Sequence, residues 1–286
     1  MSDDLVGAFE EVPYPSWRTP GADAVRHGKV KHHVPVLLEV DVTEARAALA
    51  RRKQQGGPDV SFTAWAARCI AQAAAEHKRV HAVRGGFALG RRGLRRTLVT
   101  FADVDMCLAV YRRLAGDGAG ERVPMPFVIR KVNEKDLQQV SVEIREAQSR
   151  PLPEDEQWMN PDADVPPPWL VRLGLAAPRG LRDLFFWDRL FADPFRVKRT
   201  MGTVMVTSVP LTTKSGGAAW AIPIGVHPLL VALGAIGRRP GMAGERMEPR
   251  DVLSMTVLFD HDVVDGVPVA LFLRRLSELM EGASGI

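Results

Sequence analysis

The sequence predicts an α/β protein, and three observations carry that prediction. Short runs rich in β-branched residues alternate with stretches of helical spacing, no internal repeat interrupts the alternation, and the composition is that of a globular chain with ample material for a core. Of 286 residues, 46% are hydrophobic and 25% charged. A single domain over 1–286 is the simplest organisation, with 1–29 as an N-terminal arm and 151–200 as a proline-rich and aromatic insertion.

VPVLLEVDV (34–42) reads as a strand leading into a helix that Thr43 caps and Gly56-Gly57 ends. SFTAWAARCIAQAAAEH places Phe62, Trp65, Ala66, Cys69, Ile70 and Ala73 on one helical face. LVTFADVDMCLAVY (98–111) and VPMPFVIRKV (123–132) read as strands with GDGAG as the turn between them, and EKDLQQVSVEIREAQ (134–148) as a helix. Residues 151–168 carry six prolines and exclude regular structure. The segment that follows has helical spacing at Leu181, Leu184, Phe185 and Leu190, and its aromatic side chains predict a cover over an apolar surface across 166–195. GTVMVTSVPL (202–211), AWAIPIG (219–225), VHPLLVALGAIG (226–237) and VLSMTVLFD (252–260) read mostly as strands, and a helix follows with Pro268 in its first turn.

The formal net charge is +4, from 38 basic and 34 acidic residues, and the arginines are spread along the chain. That distribution hints at an anionic ligand and gives no support to nucleic-acid binding. Cys69 and Cys107 fall on a helix stripe and inside a strand, so both read as buried thiols in a reducing compartment. The acidic, proline-broken start lacks the features of a secretory signal, and no run reaches the roughly 18 apolar residues of a membrane span. The expectation is a cytoplasmic protein without membrane contact. His32 and His33 precede a strand and read as solvated, and no histidine or cysteine cluster offers a metal site.

The chemistry concentrates in FDHDVVDGVP (259–268). His261 lies where a strand ends and a helix begins, a place where function gathers. A histidine there can take a proton near neutral pH, an aspartate four residues on at Asp265 can fix the loop, and Gly266 permits the turn. The H-x-x-x-D-G pattern is short and does not by itself assign catalysis.

FDHDVVDG resembles the active-site segment of the dihydrolipoamide acyltransferase and chloramphenicol acetyltransferase superfamily. Other stretches resemble it in the same order: HHVPVLLEVDVTEARAAL the first strand and helix, KRVHAV the turn after a helix, and VPMPFVIRKVNEKDLQQVSVEIREA the next strand and helix. GTVMVTSV is similar to the family's G-T-F-T-I-S-N segment, and VHPLLVALGAIGRRP to its proline-containing helix. The resemblance covers about residues 30–281 and implies a two-layer sandwich, a mixed sheet with helices on one side.

It also implies roles. His261 would be the general base that deprotonates an acceptor thiol, amine or hydroxyl, and acyl-CoA would be the partner substrate. The Thr207 hydroxyl would stabilise the oxyanion, with Ser208 and Gly266 contacting substrate. Neighbours on a strand face opposite ways, so only one of Thr207 and Ser208 can serve the oxyanion. Asp265 would brace the loop, through an arginine such as Arg26. The family's site lies between subunits of a trimer, which implies a homotrimer. The chain ending ELMEGASGI offers Ile286 as its only large apolar group after Met280, a poor plug for joining trimers into a cage.

Two departures stand out: Asp262 replaces the family's arginine after the histidine, and 151–200 exceeds the expected connection. No lipoyl domain with its modified lysine is visible in the sequence, so the resemblance implies an acyltransferase without its own swinging arm. The alternatives are the core subunit of a 2-oxoacid dehydrogenase complex served by a separate lipoyl protein, and a non-catalytic trimeric scaffold.

Overall fold

A computed structural model describes residues 7–15, 18–90, 93–113, 122–149, 173–174, 176–209 and 217–286. After a first helix α1 (Arg18–Gly28), strand β1 (His33–Asp41) leads into α2 (Thr43–Gln54) and α3 (Phe62–Glu76). Then come β2 (Val83–Gly90), β3 (Gly93–Val99), β4 (Met106–Arg113), β5 (Arg122–Ile129) and α4 (Leu137–Ser149). The short α5 (Arg179–Arg182) and α6 (Asp188–Ala192) flank a π-helical turn at Asp183–Trp187, and α7 (Pro194–Met201) follows. β6 (Val204–Ser208), β7 (Leu229–Ala243), β8 (Arg246–Asp260) and α8 (Gly266–Glu281) complete the chain.

Six strands form one mixed sheet in the order β1-β8-β7-β6-β4-β5, while β2 and β3 pair separately. β6 runs parallel to both β4 and β7, and the remaining pairs are antiparallel. Alternation decides the two faces. Val204 and Val206 of β6, Val231 and Leu233 of β7, and Met255, Val257 and Phe259 of β8 bury into one core with α3, α4 and α8. α3 is alanine-rich and packs closely against α4 and α8, and its start is capped by Ser61, whose hydroxyl accepts from the Ala64 N–H at 3.1 Å. The Trp65 indole N–H donates to the Ser284 carbonyl at 3.0 Å, and Ile286 packs against this same core. The expected mixed sheet with helices on one side is therefore present. Among the described residues no helix is long and apolar enough to cross a membrane.

Several boundaries depart from the sequence reading. Val42, not Thr43, occupies the cap of α2, and the Thr43 hydroxyl donates to Asp41 Oδ1 at 2.6 Å while accepting from the Asp251 N–H at 2.8 Å. The run 98–111 is two strands. Asp105 breaks it, because its carboxylate accepts from the Lys131 N–H, Arg130 and Lys198 and turns the chain before β4. β2 went unread because GGFALG carries glycines that argue against a strand. Residues 219–225 are not a strand. They cross the face opposite the helices, where the Trp220 indole donates to the Leu38 carbonyl at 3.2 Å and Ala219 O accepts from the Ala235 N–H at 3.1 Å. β7 and β8 run 15 residues each, since the polar, proline-bearing GRRPGMAGERMEP, unassigned between the two expected strands, is a long hairpin. The GDGAG turn and residues 151–168 lie outside the described residues.

The aromatic segment is a cover on one side only. Trp187 and Leu190 bury with Val83, Val197, Met201 and Val226, and Trp187 stacks on His27 with ring centroids 4.9 Å apart. Leu184 and Phe185 stay 55% and 57% exposed. Trp169 lies outside the described residues. Cys69 and Cys107 are free, buried thiols, with burial pushing each up to about 12.

Candidate active site

β8 ends at Asp260, and the next three residues form the turn that carries His261. The turn is held from both sides. Asp260 is 1% exposed, and its carboxylate accepts from Lys31 Nζ at 3.0 Å and from the Asp262 N–H at 3.1 Å. Its carbonyl accepts from the Val263 and Val264 N–H groups. The His261 N–H donates to the His32 carbonyl at 3.0 Å, and its exposed ring lies 6.0 Å from Phe259, centroid to centroid. Asp262 accepts from Arg84 Nη1 at 3.3 Å and lies 3.0 Å from His32 Nδ1. The His32 hydrogen bond, with the His32 and Arg84 charges, holds the Asp262 carboxyl below its usual range.

His32 is exposed, as the sequence implied, but its ring is engaged by Asp262. His33 is a correction: it is half-buried, and its Nε2–H donates to the His227 carbonyl at 2.8 Å, so burial lowers its pKa. His227 is fully enclosed, donates from Nε2 to the Met201 carbonyl at 3.0 Å, and is pushed by burial down to about 4. Both rings are neutral structural groups at pH 7.

The Asp265 expectation needs correction too. Asp265 occupies the cap position of α8 without a side-chain cap bond, and Arg26 pairs instead with Asp23 at 3.0 Å and Asp183 at 2.6 Å. α1 packs beside the aromatic segment, so Arg26 meets the carboxylate there. Gly266 is likewise not a turn glycine. It is the first residue of α8, with open space where a Cβ would stand, and the turn is made at 261–263 instead.

The other candidate residues come from β6, whose entry is tightly built. Gly202 has φ +75°, and a Cβ on it would lie 2.5 Å from the Asp105 carbonyl, so only glycine brings α7 so close to β4. The Thr203 N–H donates to that carbonyl at 2.9 Å, and the Thr203 hydroxyl lies 2.9 Å from Nδ1 of the buried His81. From this anchor the strand alternates. Val204, Val206 and Ser208 take the helix side, and Met205 and Thr207 the opposite side, both hydroxyl residues being partly exposed near the strand's end.

Thr207 pairs across β7 at Ala232 with Thr256 of β8, and His261 lies five residues beyond Thr256. At about 3.3 Å per residue and 4.8 Å between strands, His261 and Thr207 of one chain stand roughly 19 Å apart. One chain therefore does not bring its own histidine and threonine together. Sequence reasoning singled out Asp262 beside the histidine but missed Lys31, Arg84 and Asp260 as the rest of the turn's frame. The available signal was the pair of aspartates flanking His261, set opposite Lys31-His32-His33 once β1 and β8 pair. Among the described residues no group of three His, Cys, Asp or Glu side chains is placed to hold a metal.

Residues 216–286, which hold β7, β8, α8 and His261, match the family model for 2-oxoacid dehydrogenases acyltransferase (catalytic domain). The dihydrolipoamide acetyltransferase of Azotobacter vinelandii superposes with TM-score 0.64 at 19% identity, over 98% of this chain and 95% of that one. The chain has the fold of a dihydrolipoamide acyltransferase catalytic domain. A probable dihydrolipoamide acetyltransferase from Listeria monocytogenes gives TM-score 0.61 at 20% identity over 98% and 97% of the two chains. A truncated catalytic core of the Thermoplasma acidophilum 2-oxoacid dehydrogenase complex gives 0.61 at 18% over 96% and 99%. No curated protein sequence matches. The segment that matches the family model carries His261 at the same strand-to-helix junction that the sequence motif indicated.

Proposed function

We propose that this protein is an acyltransferase that moves an acyl group between coenzyme A and an acceptor thiol, amine or hydroxyl. The observation that carries the reading is His261, exposed on a rigidly held turn at the end of β8, inside the segment matching the acyltransferase family. As general base His261 removes the acceptor proton, and the acceptor attacks the thioester carbonyl. The resulting oxyanion needs a donor, which Thr207 supplies from the sheet face away from the helices; collapse of the intermediate breaks the C–S bond and expels the CoA thiolate, which takes the proton held by His261. The roughly 19 Å between the two within one chain supports a site shared between copies of a homotrimer, His261 of one facing Thr207 of the next. Asp265 and Gly266, which follow the His261 turn at the start of α8, flank the histidine in this reading, while Ser208 lies on the other face of β6 from Thr207. Cys69 and Cys107 remain protonated thiols, consistent with a cytoplasmic setting.

A second reading concerns the acceptor. The Thermoplasma and Azotobacter relatives are a complex core and a dihydrolipoamide acetyltransferase, which favours a dihydrolipoyl group borne by a separate protein. The deciding experiment measures free thiol released from acetyl-CoA with dihydrolipoamide, against a panel of amines and alcohols. Release above the hydrolytic background with any acceptor supports the proposal, and a preference for dihydrolipoamide selects the second reading. No release with any acceptor, from a protein that folds and assembles, refutes it.

A further inference from the structure

His261 has no hydrogen-bond partner for its ring among the described side chains, so the ring's aim is set by how its turn is held. Asp260, nearly inaccessible, is one tether and serves the fold. Asp262, on the other side of the histidine, is different. Its carboxylate is partly exposed and meets His32 and Arg84, which are more exposed still. Ion pairs that open to solvent add only about 0–1 kcal/mol to folding. Stability therefore gives this residue little reason to bind two donors from separate segments, the residue before β1 and the start of β2. Its place in the chain gives it one: it is covalently next to His261, and the backbone N–H of His261 already donates to His32, the residue whose ring Asp262 engages.

We propose that Asp262 is a positioning residue, whose carboxylate ties the His261 turn to His32 and Arg84 and so fixes the direction in which the imidazole meets the acceptor. The proposal rests on the reading of His261 as the general base. Arg84 lies on β2, outside the main sheet, and β2 packs against α7. The tie thus couples the histidine to the elements that enter β6, the strand of Thr207. The carboxyl is held charged by its His32 and Arg84 contacts, so the tie persists through the neutral range.

The test uses steady-state acyl transfer from acetyl-CoA to the best acceptor, with kcat, KM and melting temperature recorded for each variant. Asp262→Ala is expected to lower kcat about ten- to a hundredfold, because a misplacement near 1 Å at a reacting group costs up to about 10² in rate. KM for acetyl-CoA should stay within about twofold. The melting temperature should stay within about 2 °C, as expected for a solvent-open pair. Asp262→Asn keeps an acceptor oxygen and should lose less. Arg84→Ala should lower kcat in the same sense, with the double variant no worse than the poorer single one, since coupled residues are not additive. Asp262→Ala within threefold of wild-type kcat, in a preparation where His261→Ala is inactive, would overturn the positioning role and leave the base intact. A fall in melting temperature that tracks the fall in kcat would overturn it as well. An active His261→Ala would remove the underlying reading instead.

Discussion

Replacing Thr207 with valine exchanges one hydroxyl for a methyl and leaves the rest of the side chain unchanged. The β-branched shape is kept, so strand propensity and the pairing with Ala232 of β7 should survive. If the hydroxyl donates to the oxyanion, its loss raises the barrier by about 3–4 kcal/mol, or 10²–10³ in kcat. KM for acetyl-CoA should hardly move, because the donor acts only as charge develops. Ser208→Ala is the internal control, because Ser208 alternates to the helix side with Val204 and Val206 and cannot share the target of Thr207. It should change kcat less than about threefold, below the roughly 1 kcal/mol of an ordinary hydrogen bond. Both variants are assayed by spectrophotometric release of the CoA thiol, with melting curves to confirm folding. Equal losses, or a larger loss for Ser208→Ala, would refute the assignment of faces and of the donor.

His261→Ala should lower acyl transfer by about two to four orders of magnitude with little change in melting temperature, since the ring is exposed and a positioned base contributes that much; retention of half the activity would exclude His261. Gly202→Ala should destabilise the protein by at least about 2 kcal/mol, because φ +75° and a 2.5 Å approach to the Asp105 carbonyl both forbid a Cβ; an unchanged melting temperature would contradict this. Acid should destabilise the fold through His81 and His227, which burial holds at about 4 against an ordinary 6.5. Between those values the unfolded chain binds more protons, so stability falls as pH drops from 6.5 towards 4, by up to about 3 kcal/mol per ring. Urea melts across that range check it, and a stability unchanged from pH 7 to pH 4.5 would contradict it.

The helices α3, α4 and α8 were legible because each carries its own period and its burial follows from it, as at Trp65, Cys69 and Ile70, whereas α2, which buries Ala45, was legible from the Gly56-Gly57 stop. The site motif was legible for the same reason: alternation along VLSMTVLFD ends where Pro268 announces a helix, leaving His261 between them. Ion pairs between segments distant in sequence were not. Arg26 meets Asp183 across 157 positions and Arg84 meets Asp262 across 178, and no local pattern encodes such partners. The same limit hid the burial of His33, whose partner is a backbone carbonyl at His227. Residues 219–225 misled because AWAIPIG has strand composition while, among the described residues, its backbone pairs with β7 only through the Ala235 N–H and Ala219 carbonyl.

The account turns on a site completed by two copies of the chain, and mixing two inactive variants tests that most directly. His261→Ala and Thr207→Val are unfolded together in equal amounts, refolded to allow random assembly, and assayed for acyl transfer. In a closed ring where each site takes one residue from each of two neighbours, about a quarter of the sites receive both native residues. Recovery to roughly a quarter of the activity of wild-type protein refolded alongside is expected, far above either variant refolded alone. A mixture no more active than the better of its two components, with assembly intact, would contradict the shared site.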